Sequence, residues 1–100
     1  WILLAGSSNG SSGSTSMLFN DPTQVRLDPM GNIYICDLQN HRIQLFYAGQ
    51  TNGSTIAGIT SVGGNNATTL NGPHSFSLDN QLNLYVADTN NNRIQKFLRY

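Results

Sequence analysis

The chain has 100 residues, of which five are acidic, all of them Asp, and five are Lys or Arg, so its formal charge is zero and only 10% of it is charged. This length suits one domain or a piece of one, and the lack of a basic cluster argues against nucleic acid as a partner, since affinity for phosphates comes mainly from Lys and Arg. No apolar run approaches the roughly 20 residues needed to span a membrane, and Trp1–Ala5 is too short and lacks the basic flank of a signal peptide, which reads as a segment beginning inside a domain.

Taken in order, Ile2, Leu3, Leu4 and Ala5 make a short apolar run before Gly6, expected as a strand. Ser7–Ser16 is almost entirely Ser, Gly, Asn and Thr and reads as a mobile surface loop. Asn20-Asp21-Pro22 signals a turn, and Thr23–Asp28 alternates, with Val25 and Leu27 on one side and Gln24 and Arg26 on the other. After the turn Asp28-Pro29-Met30-Gly31, Asn32–Cys36 is apolar on both sides, as suits a strand between stacked sheets. Arg42–Tyr47 is expected as a third strand and Thr55–Ala57 as a short fourth. Gly58–Gly72 is a second polar loop that reads as a linker, and Ser75–Leu78, Leu84–Ala87 and Arg93–Leu98 repeat the first three strands. The expectation is eight short strands and no helix.

The repetition is in one register. Residues 19–47 slide onto 70–98 without a gap and match at 12 of 29 positions, including Asp37/Asp88, Asn40/Asn91, Arg42/Arg93 and Phe46/Phe97, each 51 apart. Leu4-Ala5-Gly6 resembles Ile56-Ala57-Gly58 at an offset of 52, so one residue has been gained in a loop, where it costs little. A period near 50 without a helical pattern points to an array of small sheets, as in a propeller. The shared pattern is Pro, an apolar pair, Asp, a turn, then Asn-[Ile/Leu]-Tyr-[Ile/Val]-x-Asp-x-x-Asn-x-Arg-Ile-Gln-x-Phe. It resembles the NHL repeat, and Asn40-His41-Arg42 matches the core of that family's signature. The second copy departs from the pattern at Asn92, in place of the signature His, and at Leu82, in place of a Gly such as Gly31. The fold expected is therefore all-β, with NHL-type blades of four antiparallel strands that belong, by the resemblance, to a six-bladed β-propeller.

On this reading residues 22–58 are a complete blade, 73–98 are three strands of a second, and 1–6 are a strand closing another. The opening strand and the last three are complementary, yet a two-bladed ring is sterically implausible when propellers have about 4–8 blades. Either more repeats belong to a longer protein, or copies lend one another the strand Ile2–Ala5. Three copies of two blades would make six, so the expected partner is the chain itself, as a homotrimer.

Asp37, Asn40 and Arg42, with Asp88, Asn91 and Arg93, are the most prominent polar groups. A carboxylate ending one strand can meet a guanidinium opening the next, and a motif present in every blade is architecture. Cys36 is the single cysteine, has Ala87 as its counterpart in the other copy, and reads as a small buried residue. His74 stands at the entrance of an innermost strand, where Thr23 stands in the other copy; it is a weak candidate metal ligand. Related propellers among the peptide-amidating lyases resemble this in using channel-mouth His on zinc. Asn9, Asn52 and Asn66 begin N-glycosylation sequons in expected loops and favour an extracellular parent. Gln24, Arg26, Ser75 and Ser77 vary between the copies beside the inner strand, as a recognition surface would.

The functional expectation is a non-catalytic scaffold or binding module, without cofactor, metal or catalytic residues, that presents loops and a channel mouth to a protein or ligand. The alternative is a fragment of a propeller hydrolase or amidating lyase with a channel-mouth metal. A third possibility is a bare assembly unit that rebuilds a ring.

Overall fold

Alternating side chains between turn-forming residues produce short antiparallel strands, and the first three lie where that pattern puts them. The computed structural model describes residues 2–99. The first sheet runs in sequence order through β1 (Pro22–Leu27), β2 (Ile33–Asp37), β3 (Arg42–Phe46) and β4 (Ser54–Gly58). The second has β5 (Ser75–Leu78), β6 (Leu84–Asp88) and β7 (Arg93–Phe97). Each is a meander, and the only helical pieces among the described residues are one-turn 3-10 segments at Leu38–Asn40 and Thr89–Asn91. The all-β expectation holds, and the strand ends agree to within a residue or two.

Each tight turn between the first two strands is built by its Asp. Asp28 accepts the N–H groups of Met30 and Asn32, the Asn32 amide and the Tyr34 hydroxyl, at 2.9–3.1 Å. Asp79 accepts the same set from Gln81, Asn83 and Tyr85. That shared chemistry explains why Asp, Asn and Tyr recur at one spacing. The turn needs a left-handed residue, supplied by Gly31 at φ 82° and by Leu82 at φ 64°. For Leu this conformation costs about 1–2 kcal/mol, so the missing glycine leaves strain and not a different turn.

The two sheets stack face to face. Tyr34, Cys36, Ile43 and Leu45 of the first pack against Phe76, Leu84 and Val86 of the second, with Leu70 from the intervening loop also fully buried. The outer faces differ from this dry junction. On the second sheet Ile94 is 68% exposed, whereas Ile43, its counterpart in the first, is 0% exposed. On the first sheet Val25 and Leu27 remain 57% and 63% exposed.

The described residues contain seven strands, not eight. Ile2–Ala5 form none, because a strand exists through its ladder and among the described residues nothing pairs with them; Ile2, Leu3 and Leu4 are exposed. Trp1, at the head of that expected strand, lies outside the described residues. The loops also differ from expectation: neither Ser7–Ser16 nor Gly58–Gly72 is a free linker. Ser16 accepts the Gly53 N–H at 2.7 Å, and Gly63 and Leu70 form an isolated bridge.

Candidate functional site

The repeated Asp-Asn-Arg set comes together in both blades. The Asp37 carboxylate ends β2, fully buried, and accepts the Asn20 N–H, the Asn40 amide and the Arg42 Nε–H, each at 2.8 Å. Asp88 does the same with Asn71, Asn91 and Arg93, at 2.7–2.9 Å. Both carboxylates are thus saturated by charge-assisted bonds. Burial pushes the Asp88 carboxyl up, but the Asn71 N–H, the Asn91 amide and Arg93 outweigh it and hold the group below the ordinary value.

The guanidinium ends are enclosed by backbone. Arg42 donates to the carbonyls of Ser14, Thr15 and Leu18, at 3.2, 2.9 and 2.8 Å, and to the Thr60 hydroxyl. Arg93 donates to Asn65, Asn66 and Thr69, the same positions 51 residues on. Asn40 and Asn91 reach the carbonyls of Gly13 and Gly64. Sequence reasoning missed this cage because main-chain carbonyls leave no side-chain signature. The one available signal was the pairing of Gly13 with Gly64, where an added Cβ would come within 2.6 Å of Leu18 and 2.7 Å of Thr69.

His41 has a role that the reading of the chain did not assign. It caps the 3-10 segment with φ 55°, and its Nδ1 accepts the N–H of Gly72 at 3.0 Å, binding one blade to the entry of the next. Asn92 holds the same left-handed conformation at φ 52°. Asn and His are among the few side chains that tolerate it, which accounts for the exchange between copies.

The remaining candidates separate into buried and rim residues. Cys36 is fully buried, its S–H directed at the Pro73 carbonyl at 3.1 Å, and burial pushes its thiol up to about 11. Such a thiol is an inert packing group. His74 is exposed at the entrance of β5; its Nδ1 lies 3.2 Å from the Gly72 carbonyl, and its own carbonyl accepts the Thr23 hydroxyl at 2.7 Å. Gln24 spans the same gap, accepting the Phe76 N–H at 2.7 Å. Among the described residues no three His, Cys, Asp or Glu side chains gather as a metal would require. Arg26, Ser75 and Ser77 are exposed beside these, so the two adjacent inner strands form a rim in which polar side chains alternate with the exposed Val25 and Leu27. Asn9, Asn52 and Asn66 are exposed in loops.

The family model of the NHL repeat matches residues 19–46 and 70–97, more than half of the chain. This chain belongs to the NHL repeat family. No curated protein matches it. The matched NHL segments each run from the last residues of the loop before the inner strand through the first three strands, so they contain the Asp, Asn and Arg of the lock, while the carbonyls that cage it, in residues 13–18 and 64–69, precede them. The NHL blades carry a propeller-type binding module, and the lock is its framework.

Proposed function

We propose that the chain is a non-catalytic propeller binding module that recognises its ligand along the rim of the inner strands. One observation carries this reading. The polar residues shared by both blades are saturated by partners within the fold, while Arg26, His74, Ser75 and Ser77 differ between blades and face solvent. A repeated and internally satisfied motif builds the scaffold; a varied and accessible one is free to recognise. Binding, and not turnover, suits a rim in which no base, nucleophile and orienting group come together. The test is an amide-shift titration of the chain with a panel of peptides and saccharides. Shifts confined to residues 23–26 and 74–77 would support the rim, and shifts elsewhere, or turnover of ester or lyase substrates, would overturn it.

The ring itself is proposed to be six-bladed, built from three copies. Each copy bears two uncovered blade faces, around Val25 and around Ile94, and a soluble propeller covers both. Light scattering behind a sizing column should return a mass near three times the 10.9 kDa of one chain. A folded monomer would overturn the ring.

A further inference from the structure

We propose that Asn66 is an N-glycosylation site, at which the side-chain nitrogen takes an oligosaccharide from a polyprenyl diphosphate donor while the side-chain oxygen goes on holding the loop before the second blade.

The residue types come first. Asn66-Ala67-Thr68 is one of three sequons in the chain and the one with Thr at its third position. The β-methyl of Thr restricts χ1 and so fixes the hydroxyl more closely than Ser does. All three residues are exposed, in the loop between β4 and β5. The Thr68 hydroxyl already lies 3.1 Å from Asn66 Oδ1.

The two ends of the Asn66 amide have separate tasks. Oδ1 accepts the N–H groups of Thr68 and Thr69, each at 3.0 Å, and both their hydroxyls, at 3.1 and 2.9 Å. Main-chain N–H groups only donate, so the end that faces them is the oxygen. Among the described residues nothing accepts the Nδ2 hydrogens, and water reaches them. By contrast Asn32, Asn40, Asn83 and Asn91 donate through Nδ2 to a carboxylate, a carbonyl or both.

The other repeat shows which task the fold requires. Thr15 stands 51 positions before Asn66, and its Oγ1 accepts the Met17 N–H at 3.3 Å as Asn66 Oδ1 accepts that of Thr68. The main-chain carbonyls of the two residues accept Arg42 and Arg93, at 2.9 and 2.8 Å. An acceptor alone therefore serves this turn, and a hydroxyl can supply it. Asn adds the reach to Thr69 and a nitrogen that the fold leaves unused.

The glycosidic bond forms on that nitrogen. Nδ2 bonds to the anomeric carbon, the bond from that carbon to the diphosphate oxygen breaks, and the polyprenyl diphosphate leaves with the electron pair. Nδ2 gives up one proton to a base of the transferase. Oδ1 remains a carbonyl oxygen, so the product keeps all four of its hydrogen bonds. Modification at Asn66 entails passage of the parent chain through the compartment that holds the lipid-linked donor.

The test expresses the whole chain behind an export leader in cultured animal cells and recovers it from medium and cells. Peptide N-glycosidase in heavy-oxygen water then converts each occupied Asn to labelled Asp, which mass spectrometry locates. Label is expected at residue 66, lost in Asn66→Gln and in Thr68→Ala and kept in Thr68→Ser. An unlabelled residue 66, or label that survives Thr68→Ala, would overturn the site. A second measurement needs no glycan: Asn66→Asp keeps the acceptor and removes the nitrogen, so its urea midpoint should equal that of the unmodified chain. A lowered midpoint would show that the nitrogen serves the fold, and would overturn the division of tasks on which the site rests.

Discussion

At the residue scale, two locks built from the same Asp, Asn and Arg at the same spacing differ in their surroundings. The side chains of Arg42 and Asp37 are 2% and 0% exposed, whereas Arg93 is 26% exposed beside a fully buried Asp88. Removing one member of a buried pair leaves the other uncompensated and costs about 3–5 kcal/mol. Asp37→Ala should therefore lower stability by that amount in urea unfolding, and Asp88→Ala by clearly less, because water reaches Arg93. Equal losses would show that burial does not decide the difference. His41→Ala removes the acceptor of the Gly72 N–H, and Gly72 is buried. An orphaned buried donor costs about 1–3 kcal/mol. The same methods should register that loss, with amide exchange at Gly72 rising.

The pairing of Asp with Arg across the turn was legible in the sequence, since their spacing puts one at a strand end and the other at the next strand start. The clasp from His41 to Gly72 was not. Its acceptor is a side chain, but its donor is a main-chain N–H of a glycine 31 positions away, a feature that no residue pattern records.

At the element scale, β4 is attached to β3 through a close approach at Gly58. Its φ is 83° and a Cβ there would meet the His41 carbonyl. Gly58→Ala should displace β4 from the sheet, leaving β1–β3 paired. Amide exchange at residues 54–58 would rise while that at 33–37 stayed slow; uniform exchange would show that the blade unfolds as one unit. Gly31→Ala isolates the other glycine effect. No atom but Ala48 Cβ, at 3.9 Å, approaches the added methyl, so only the left-handed backbone is penalised. The expected loss is about 1–2 kcal/mol in urea unfolding. The strands themselves were readable from alternation and turn residues. Ile2–Ala5 looked like a strand because its composition is that of β4, yet composition supplies no partner.

At the scale of the whole molecule, stability should depend on pH through carboxylates, one thiol and one phenol. Asp28 and Asp88 are pushed up by burial but held below the ordinary value of 3.8 by the hydrogen bonds they accept, and Asp79 is lowered chiefly by the Asn83 N–H. The native state therefore binds fewer protons than the unfolded chain in acid. Stability is fully present above the ordinary carboxyl value and falls as pH drops through and below it. At the alkaline end burial pushes the Cys36 thiol up to about 11, and burial, and then Asp28, push Tyr34 up to about 12. In the unfolded chain the thiol ionises near 9.0 and the phenol near 10.0, so stability is lost as pH rises from about 9 towards 12. Urea midpoints should be flat from about pH 5 to 8 and decline on both sides. A midpoint unchanged between pH 5 and pH 3 would contradict the acid limb.

Sequence by itself determined the blade. The 51-residue register, the alternation of β1, the Asp-built turns and the Asp-Asn-Arg spacing are local or nearly local patterns, each tied to a side chain whose chemistry forces the geometry. Tertiary structure alone decided which faces are dry and how the loops are held. Ile43 and Ile94 occupy one position in one motif, and one is sealed while the other is bare, because burial belongs to the neighbouring sheet and not to the residue. The loops close on Arg42 and Arg93 through main-chain carbonyls, which every sequence possesses and only the folded path aims.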